Sequence, residues 1–261
     1  YSKNAAEMEK CMKTIAFASD FDNTIYFGKE ANPFHKEDIA AIQEFQKKGG
    51  LFGICSGRAL RGIDYPSKGI LNYDFKISAT GSRIVGKDNA LLYEDPIETA
   101  LAKEIYFFLK QNTNFWVVLN TGKYLFSEHE ILDGLPPKKE EDLFVSPICG
   151  VSVDCLNETD AFQWKKLLEG KYPDIIAYQN KNFLDRVKKG NSKGHGIQEI
   201  RKILKADIVS GRGDSYNDIP LLEEADPSYT FYSSPELVQN KATKVVSSIS
   251  DALNDLRTRF F

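Results

Sequence analysis

Two aspartates one residue apart, Asp20 and Asp22, follow directly on the apolar run Ile15–Ala18 and Ser19. Free carboxyls titrate at about 3.9, so both are ionised at neutral pH and repel each other. Such a pair needs a cation, a shared proton or open solvent. A second acidic pair, Asp214 and Asp218, lies in "GRGDSYND", again just past a strand-like run. Ser56 in "CSGR" offers a hydroxyl with helix-start amides, and Lys193 in "SKGHG" offers a mobile ammonium at another helix start. If the strands behind these residues share one parallel sheet, then Asp20, Asp22 and Asp214 converge on one edge as an oxygen-rich site suited to Mg²⁺. Carboxylates, a metal, a hydroxyl and an ammonium are the parts that phosphoryl transfer uses. Metal and lysine neutralise the phosphate, and an aspartate can attack phosphorus to form an acyl phosphate.

The elements that must bring these groups together are visible as periodicity. In "KEDIAAIQEFQKKGG", Ile39, Ile42 and Phe45 recur about once per turn and Gly49 and Gly50 close the run, which predicts a helix. It lies between the strand-like "TIAFASDFD" and "LFGICSG", with short joints. That βαβ order implies parallel strands with a right-handed crossover, so both strands end on the edge where open α/β sheets bind ligands. The pattern resumes in "SKGHGIQEIRKIL", with Ile197, Ile200, Ile203 and Leu204 at helical spacing, followed by "ADIVSGRGD" and by a helix "YNDIPLLEEA" whose first turn tolerates Pro220.

Between these halves the texture changes. "SRIVGKDNALLYEDPI" predicts a hairpin around Asp88 and Asn89, "FWVVLNTGKYLFS" and "CGVSVDCL" alternate as half-exposed strands, and a helix "ETDAFQWKKLLEG" precedes two short strands, "IIAYQN" and "NFLDRVKKG". "SEHEILDGLPPKKEEDL" is a polar loop. The expected fold class is α/β: a Rossmann-like parallel-sheet core over residues 12–84 and 188–261, carrying an inserted α+β cap over residues 85–187.

Bulk properties agree with that size. The 261 residues are 42% hydrophobic and 27% charged, enough for a sizeable core. A net charge of −3 provides no field for nucleic acid or an anionic membrane. No apolar stretch approaches the ~18 residues needed to cross a bilayer, and the first residues lack the apolar block of a signal peptide, so a cytoplasmic protein is expected. Met12 could be the natural start, and the segment before it carries no functional weight. Cys11, Cys55, Cys149 and Cys155 have neither CxxC nor metal-ligand spacing and read as reduced thiols.

Four short motifs in order, "DFDNT", "CSGR", "SKG" and "GDSYND", together with the strand and helix placement, resemble the haloacid dehalogenase superfamily of phosphatases. The resemblance is strongest to the Cof-type group with a class IIB α/β cap, and it runs from Thr14 over nearly the whole chain. It implies that Asp20 is the nucleophile and a Mg²⁺ ligand. Asp22 would be the general acid and then the base for water, with its backbone carbonyl also on the metal. Thr24 would hold Asp22, and Ser56 and Lys193 would bind the transferred phosphoryl group. Asp214 would ligate the metal. Asp218 would belong to the same metal site, and Asn217 would support it and the phosphate. Asn23 stands where the family usually has glycine, and Thr80 where it often has a substrate-contacting asparagine.

Plainer readings fit other residues. Arg58 reads as a surface ion-pair partner, His195 as an ordinary helix position, and Trp116, Tyr124, Phe126 and Trp164 as core. The resulting expectation is a Mg²⁺-dependent phosphatase of a small phosphorylated metabolite, a sugar phosphate by preference, with no nucleic-acid or membrane partner; the oligomeric state is left open. Its alternatives are a phosphorylation switch of the receiver type, a non-catalytic phosphometabolite-binding protein, and a phosphotransferase or mutase with the same aspartyl-phosphate chemistry. A receiver would be about half this length and would lack a cap, and a binding module has no need of Asp22.

Overall fold

The structure, a computed structural model, describes residues 13–128 and 135–261. Cys11, Met12 and the part of the polar loop at 129–134 lie outside the described residues.

The core is an eight-stranded sheet in the order β13-β12-β11-β1-β2-β3-β4-β5. β1 (Ile15–Ser19) lies centrally between β2 (Leu51–Cys55) and β11 (Ile208–Arg212), parallel to both. β3 (Phe75–Ser78), β12 (Ser228–Phe231) and β13 (Lys244–Val246) continue the parallel set. All five β1 side chains are buried, and the two faces differ in size. Ile15 and Phe17 join a large-residue core with Phe45, Phe52 and Leu253 under α1 (Lys36–Lys47). Ala16 and Ala18 face the other side.

The remaining core helices are α2 (Leu60–Ser67), α5 (Lys193–Leu204), α6 (Ile219–Glu224), α7 (Glu236–Gln239) and α8 (Ile249–Phe260). The first core cluster includes buried residues of α1 and α8; the second joins Ala16 and Ala18 to Ile197 of α5 and Leu221 of α6. Small residues on that face let the α5 backbone come close. A Cβ on Gly194 would stand 2.4 Å from the Pro220 carbonyl oxygen. Gly81, at φ +91°, is likewise forced, because a Cβ there would meet the Ser192 oxygen at 2.0 Å. That close approach sets the loop from which Lys193 emerges.

Asp88 and Asn89 do form the expected turn, both at positive φ, a region that Asn and Asp tolerate better than most residues. The strands that they join, β4 (Arg83–Gly86) and β5 (Leu91–Glu94), pair antiparallel onto β3 and so lengthen the core sheet. The hairpin had been expected to open the insertion. Alternation could mark it as a hairpin but not say which sheet it joins. We therefore propose that the inserted unit begins near Asp95 rather than at residue 85.

That unit is an antiparallel sheet in the order β7-β6-β8-β10-β9. It contains β6 (Trp116–Asn120), β7 (Leu125–Phe126), β8 (Gly150–Asp154), β9 (Ile175–Asn180) and β10 (Phe183–Lys188). α3 (Thr99–Asn112) and α4 (Glu158–Lys171) pack with one face, burying Val117, Leu119, Val151, Leu109 and Leu168 together. Period-two alternation then turns Trp116, Val118 and Asn120 to the opposite face, toward the core domain. Among the described residues, no helix is long and apolar enough to cross a membrane.

Candidate active site

The three parallel strands β11, β1 and β2 end side by side, where strand order reverses around β1. Asp214, Asp20 and Ser56 follow their carboxyl ends in that spatial order. Register makes the juxtaposition tight: Ser19 pairs with Arg212, and the Asp20 amide donates to the Arg212 carbonyl at 2.8 Å.

Lys193, only 2% exposed, reaches Asp20 Oδ1 at 2.6 Å and also binds Asp218 Oδ1. The second Asp218 oxygen accepts from the amides of Asp214 and Ser215 at 3.1 and 3.0 Å. The Thr24 hydroxyl lies 3.2 Å from Asp20 Oδ2 and 3.3 Å from Asp214 Oδ1. Thr24 thus braces Asp20 and Asp214, not Asp22 as the resemblance implied. Lys193 is clamped, not mobile as expected, because burial sets its ammonium between two carboxylates.

The electrostatics follow from that crowding. Burial, then the charges of Asp218 and Asp214, push the Asp20 carboxyl well above the ordinary range against the pull of Lys193. Burial and Asp218 push Asp214 up to about 6. For Lys193, burial opposes the charge, yet Asp20 and Asp218 overcome it and hold the ammonium well above its usual value. Asp20 and Asp218 thus share one ammonium, and the charge of the buried Arg212 guanidinium acts on all three carboxylates. Asp20, Asp214 and Asp218 place carboxylate oxygens within 4.8 Å of one another, a hard-oxygen set that fits a divalent cation. Both oxygens of Asp218 and both of Asp20 accept hydrogen bonds, whereas Asp214 accepts through Oδ1 alone among the described residues.

Across a cleft of about 830 Å³, Asp22 is held in a bidentate pair by Arg58, Nε to Oδ2 at 2.7 Å and Nη2 to Oδ1 at 2.8 Å. Arg58 also donates to the Gly62 carbonyl at 2.9 Å and lies over the Phe21 and Tyr26 rings. The ion pair expected of Arg58 exists, but its partner is the candidate acid. Asn23 sits at φ 54°, a left-handed conformation open to glycine or asparagine, which explains why asparagine serves there. Ser56, Lys193 and Asn217 line the same cleft, and Asn217 accepts from the Ser215 hydroxyl. One expectation for Ser56 needs correction. α2 starts only at Leu60, and the amides of Leu60 and Arg61 donate to the Gly122 and Lys123 carbonyls of the cap, so no helix-start amides accompany Ser56.

A family model for haloacid dehalogenase-like hydrolases matches residues 17–252. The chain belongs to that family. No curated protein matches this hydrolase. Solved structures share its fold over almost the full length. A HAD/COF-like hydrolase from Plasmodium vivax is 18% identical, with TM-score 0.80 over 97% of this chain and 99% of its own. A phosphatase of the haloalkanoate enzyme superfamily from Bacteroides thetaiotaomicron is 20% identical, with TM-score 0.77 over 94% and 95%. A sugar phosphatase of HAD subclass IIB is 19% identical, with TM-score 0.76 over 94% and 99%. At these identities the likeness is one of fold.

Two groups of site residues in the hydrolase escaped sequence reasoning. One is Arg58, whose partner lies 36 positions away. The other is the cap face above the cleft. Trp116 was expected in the core, but it lines the cleft, whereas Trp164 packs on Phe108 and Phe115 and Phe126 is buried as expected. His195 is an ordinary first-turn residue whose ring meets Tyr93.

Proposed function

We propose that the protein is a Mg²⁺-dependent phosphatase of a small phosphorylated metabolite, such as a sugar phosphate, acting through an aspartyl-phosphate on Asp20. The observation that supports this most is the clamped Asp20, with Lys193 on one oxygen and Thr24 beside the other, at the floor of a cleft that Asp22 faces. A phosphatase needs a nucleophile and a separate proton carrier, and the two aspartates occupy different environments.

In this reading Ser56, Lys193 and Asn217 hold the phosphoryl group. A carboxylate oxygen of Asp20 bonds to phosphorus while the bond to the leaving oxygen breaks, and Asp22, having left its pair with Arg58 and taken a proton from solvent, delivers that proton to the leaving oxygen. Asp22 then takes a proton from water, whose oxygen bonds to phosphorus as the Asp20–phosphorus bond breaks, releasing inorganic phosphate. Mg²⁺, held by Asp20 and Asp214 with Asp218 behind them and the Asp22 carbonyl nearby, would neutralise charge on the phosphoryl oxygens. The cap covers the cleft and limits water and substrate size. The buried unpaired thiols Cys55, Cys149 and Cys155 are consistent with a reducing, cytoplasmic setting.

Phosphate release from sugar phosphates, nucleotides and an aryl phosphate, with Mg²⁺ or with chelator, tests the proposal. Metal-dependent release is expected. Folded protein that binds Mg²⁺ yet releases phosphate from none of them would overturn it.

Arg58 acts on this scheme through Asp22. Arg58→Ala is expected to lower kcat about 10- to 100-fold for alkyl phosphates, whose leaving oxygens need a proton, and far less for an aryl phosphate. Arg58→Lys should recover only part, since an ammonium cannot bind both oxygens in a fork. Equal losses on both substrates would show that Arg58 does not position the acid.

A further inference from the structure

The cap face above the cleft has a register that brings distant residues into rows. Ser152 pairs with Val118 on one side and Asp185 on the other, and Asp185 pairs with Tyr178. All four line the cleft as a single cross-strand row. Trp116 and Phe183 share the next row outward, about 7 Å away at two residues per step.

Asp185 occupies a particular place in this roof. Its Oδ1 accepts from the Ser152 hydroxyl at 2.6 Å, which fixes the carboxylate. Its Oδ2 accepts no hydrogen bond among the described residues. A Cβ on Gly57 would lie 3.1 Å from Oδ2, so this oxygen hangs directly over the loop that carries Ser56. Asn120, one row inward, pins cap to core there by donating to the Gly57 carbonyl at 3.0 Å. An acceptor is therefore held beside the phosphoryl-binding groups, at the level of the first atoms of a leaving group. Farther out, Trp116 and Phe183 offer apolar faces, and the buried Trp116 indole N–H has no acceptor among the described residues.

We propose that Asp185, fixed by Ser152, selects the substrate by accepting a hydrogen bond from a leaving-group hydroxyl close to the phosphoester. The substrate class is then the neutral polyol and sugar monophosphates. An apolar leaving group would leave a partly desolvated carboxylate unpaired, and a second anion at that place would meet a like charge. Ring or chain carbons farther from phosphorus would pack on Trp116 and Phe183, as sugar C–H faces do on aromatic rings.

This inference rests on the phosphatase reading, and the experiment separates the two. Wild type, Asp185→Ala, Asp185→Asn and Ser152→Ala are assayed on hexitol 6-phosphate, n-hexyl phosphate, phosphoglycolate and an aryl phosphate, with melting temperatures to verify folding. Wild type is expected to favour the hexitol over the hexyl ester by at least about 100-fold in kcat/KM. Asp185→Ala should cut the hexitol value about 10- to 100-fold and leave the hexyl and aryl esters unchanged or faster, because the unpaired carboxylate that opposes an apolar group is gone. Asp185→Asn, which keeps an acceptor but drops the charge, should keep more hexitol activity and gain on phosphoglycolate. Ser152→Ala should reproduce the Asp185→Ala pattern more weakly. An unchanged hexitol-to-hexyl ratio in a folded Asp185→Ala variant, or an equal loss on every ester, overturns the assignment. Absence of turnover on all four esters by wild type overturns the phosphatase reading instead.

Discussion

Asp20→Asn is expected to abolish turnover, lowering kcat by at least about 10⁴-fold, while raising the melting temperature of the metal-free protein. The first effect follows from removing the one carboxylate, among the described residues, that Lys193 and Thr24 both hold at the cleft. An amide oxygen cannot form the covalent intermediate, and loss of a nucleophile leaves only binding and electrostatic contributions. The second effect follows from the crowding. Asp20 is buried beside Asp218 and Asp214, and its carboxyl is pushed well up, so at neutral pH its ionised form opposes folding. Asparagine is neutral, still accepts from Lys193, and leaves Asp218 as that ammonium's ionic partner. A gain of about 1 kcal/mol would appear as about 2–4 °C. Phosphate-release assays and thermal melts with chelator check both. Substantial residual activity would remove Asp20 from the nucleophile's role, and a large fall in melting temperature would show that the ionised pair with Lys193 outweighs the repulsion.

Chelation is expected to stop phosphate release at every pH, and Mg²⁺ affinity is expected to climb as pH rises through about 6. The Asp214 carboxyl titrates at about 6 in the fold against 3.8 as the ordinary value. Between those values the folded chain holds a proton that the unfolded chain has released. Metal-free stability therefore falls as pH rises across that window, and above it this group contributes no further change. A cation must displace the same proton, so below about pH 6 affinity should weaken by about tenfold per unit for one proton. Asp20 is raised in the same direction and steepens the trend. Titration calorimetry with Mg²⁺ from about pH 5 to 8, with melting curves at matched pH, measures both. Affinity that does not vary with pH would mean that these carboxylates do not hold the ion.

Mg²⁺ should also reverse the stability trend, because it binds the folded state alone and cancels the repulsion among Asp20, Asp214 and Asp218. The largest gain in melting temperature is then expected above pH 6, where the metal-free fold is most strained by charge.

Much of this protein is determined by its sequence alone, and the reason is that the determining signals are local. Apolar runs with short joints and a helix stop at Gly49 and Gly50 specify successive parallel strands, and parallel strands put Asp20 and Ser56 on one edge whatever the rest of the chain does. The order of the four motifs, together with the family resemblance, adds Lys193 and Asp214 to that edge. Only the tertiary structure decided the remaining features, since each depends on which distant segments pair. Period-two alternation says which face a residue occupies but not which strand lies beside it. Hence the Asp88–Asn89 hairpin could be recognised but not assigned to the core sheet. The amides of Leu60 and Arg61 were open to the phosphate until the cap's turn at Gly122 and Lys123 took them. Arg58 became a clamp on Asp22, and Asp185 became the roof over Gly57, through packing of cap on core and register across four strands, neither of which leaves a periodic trace in one chain.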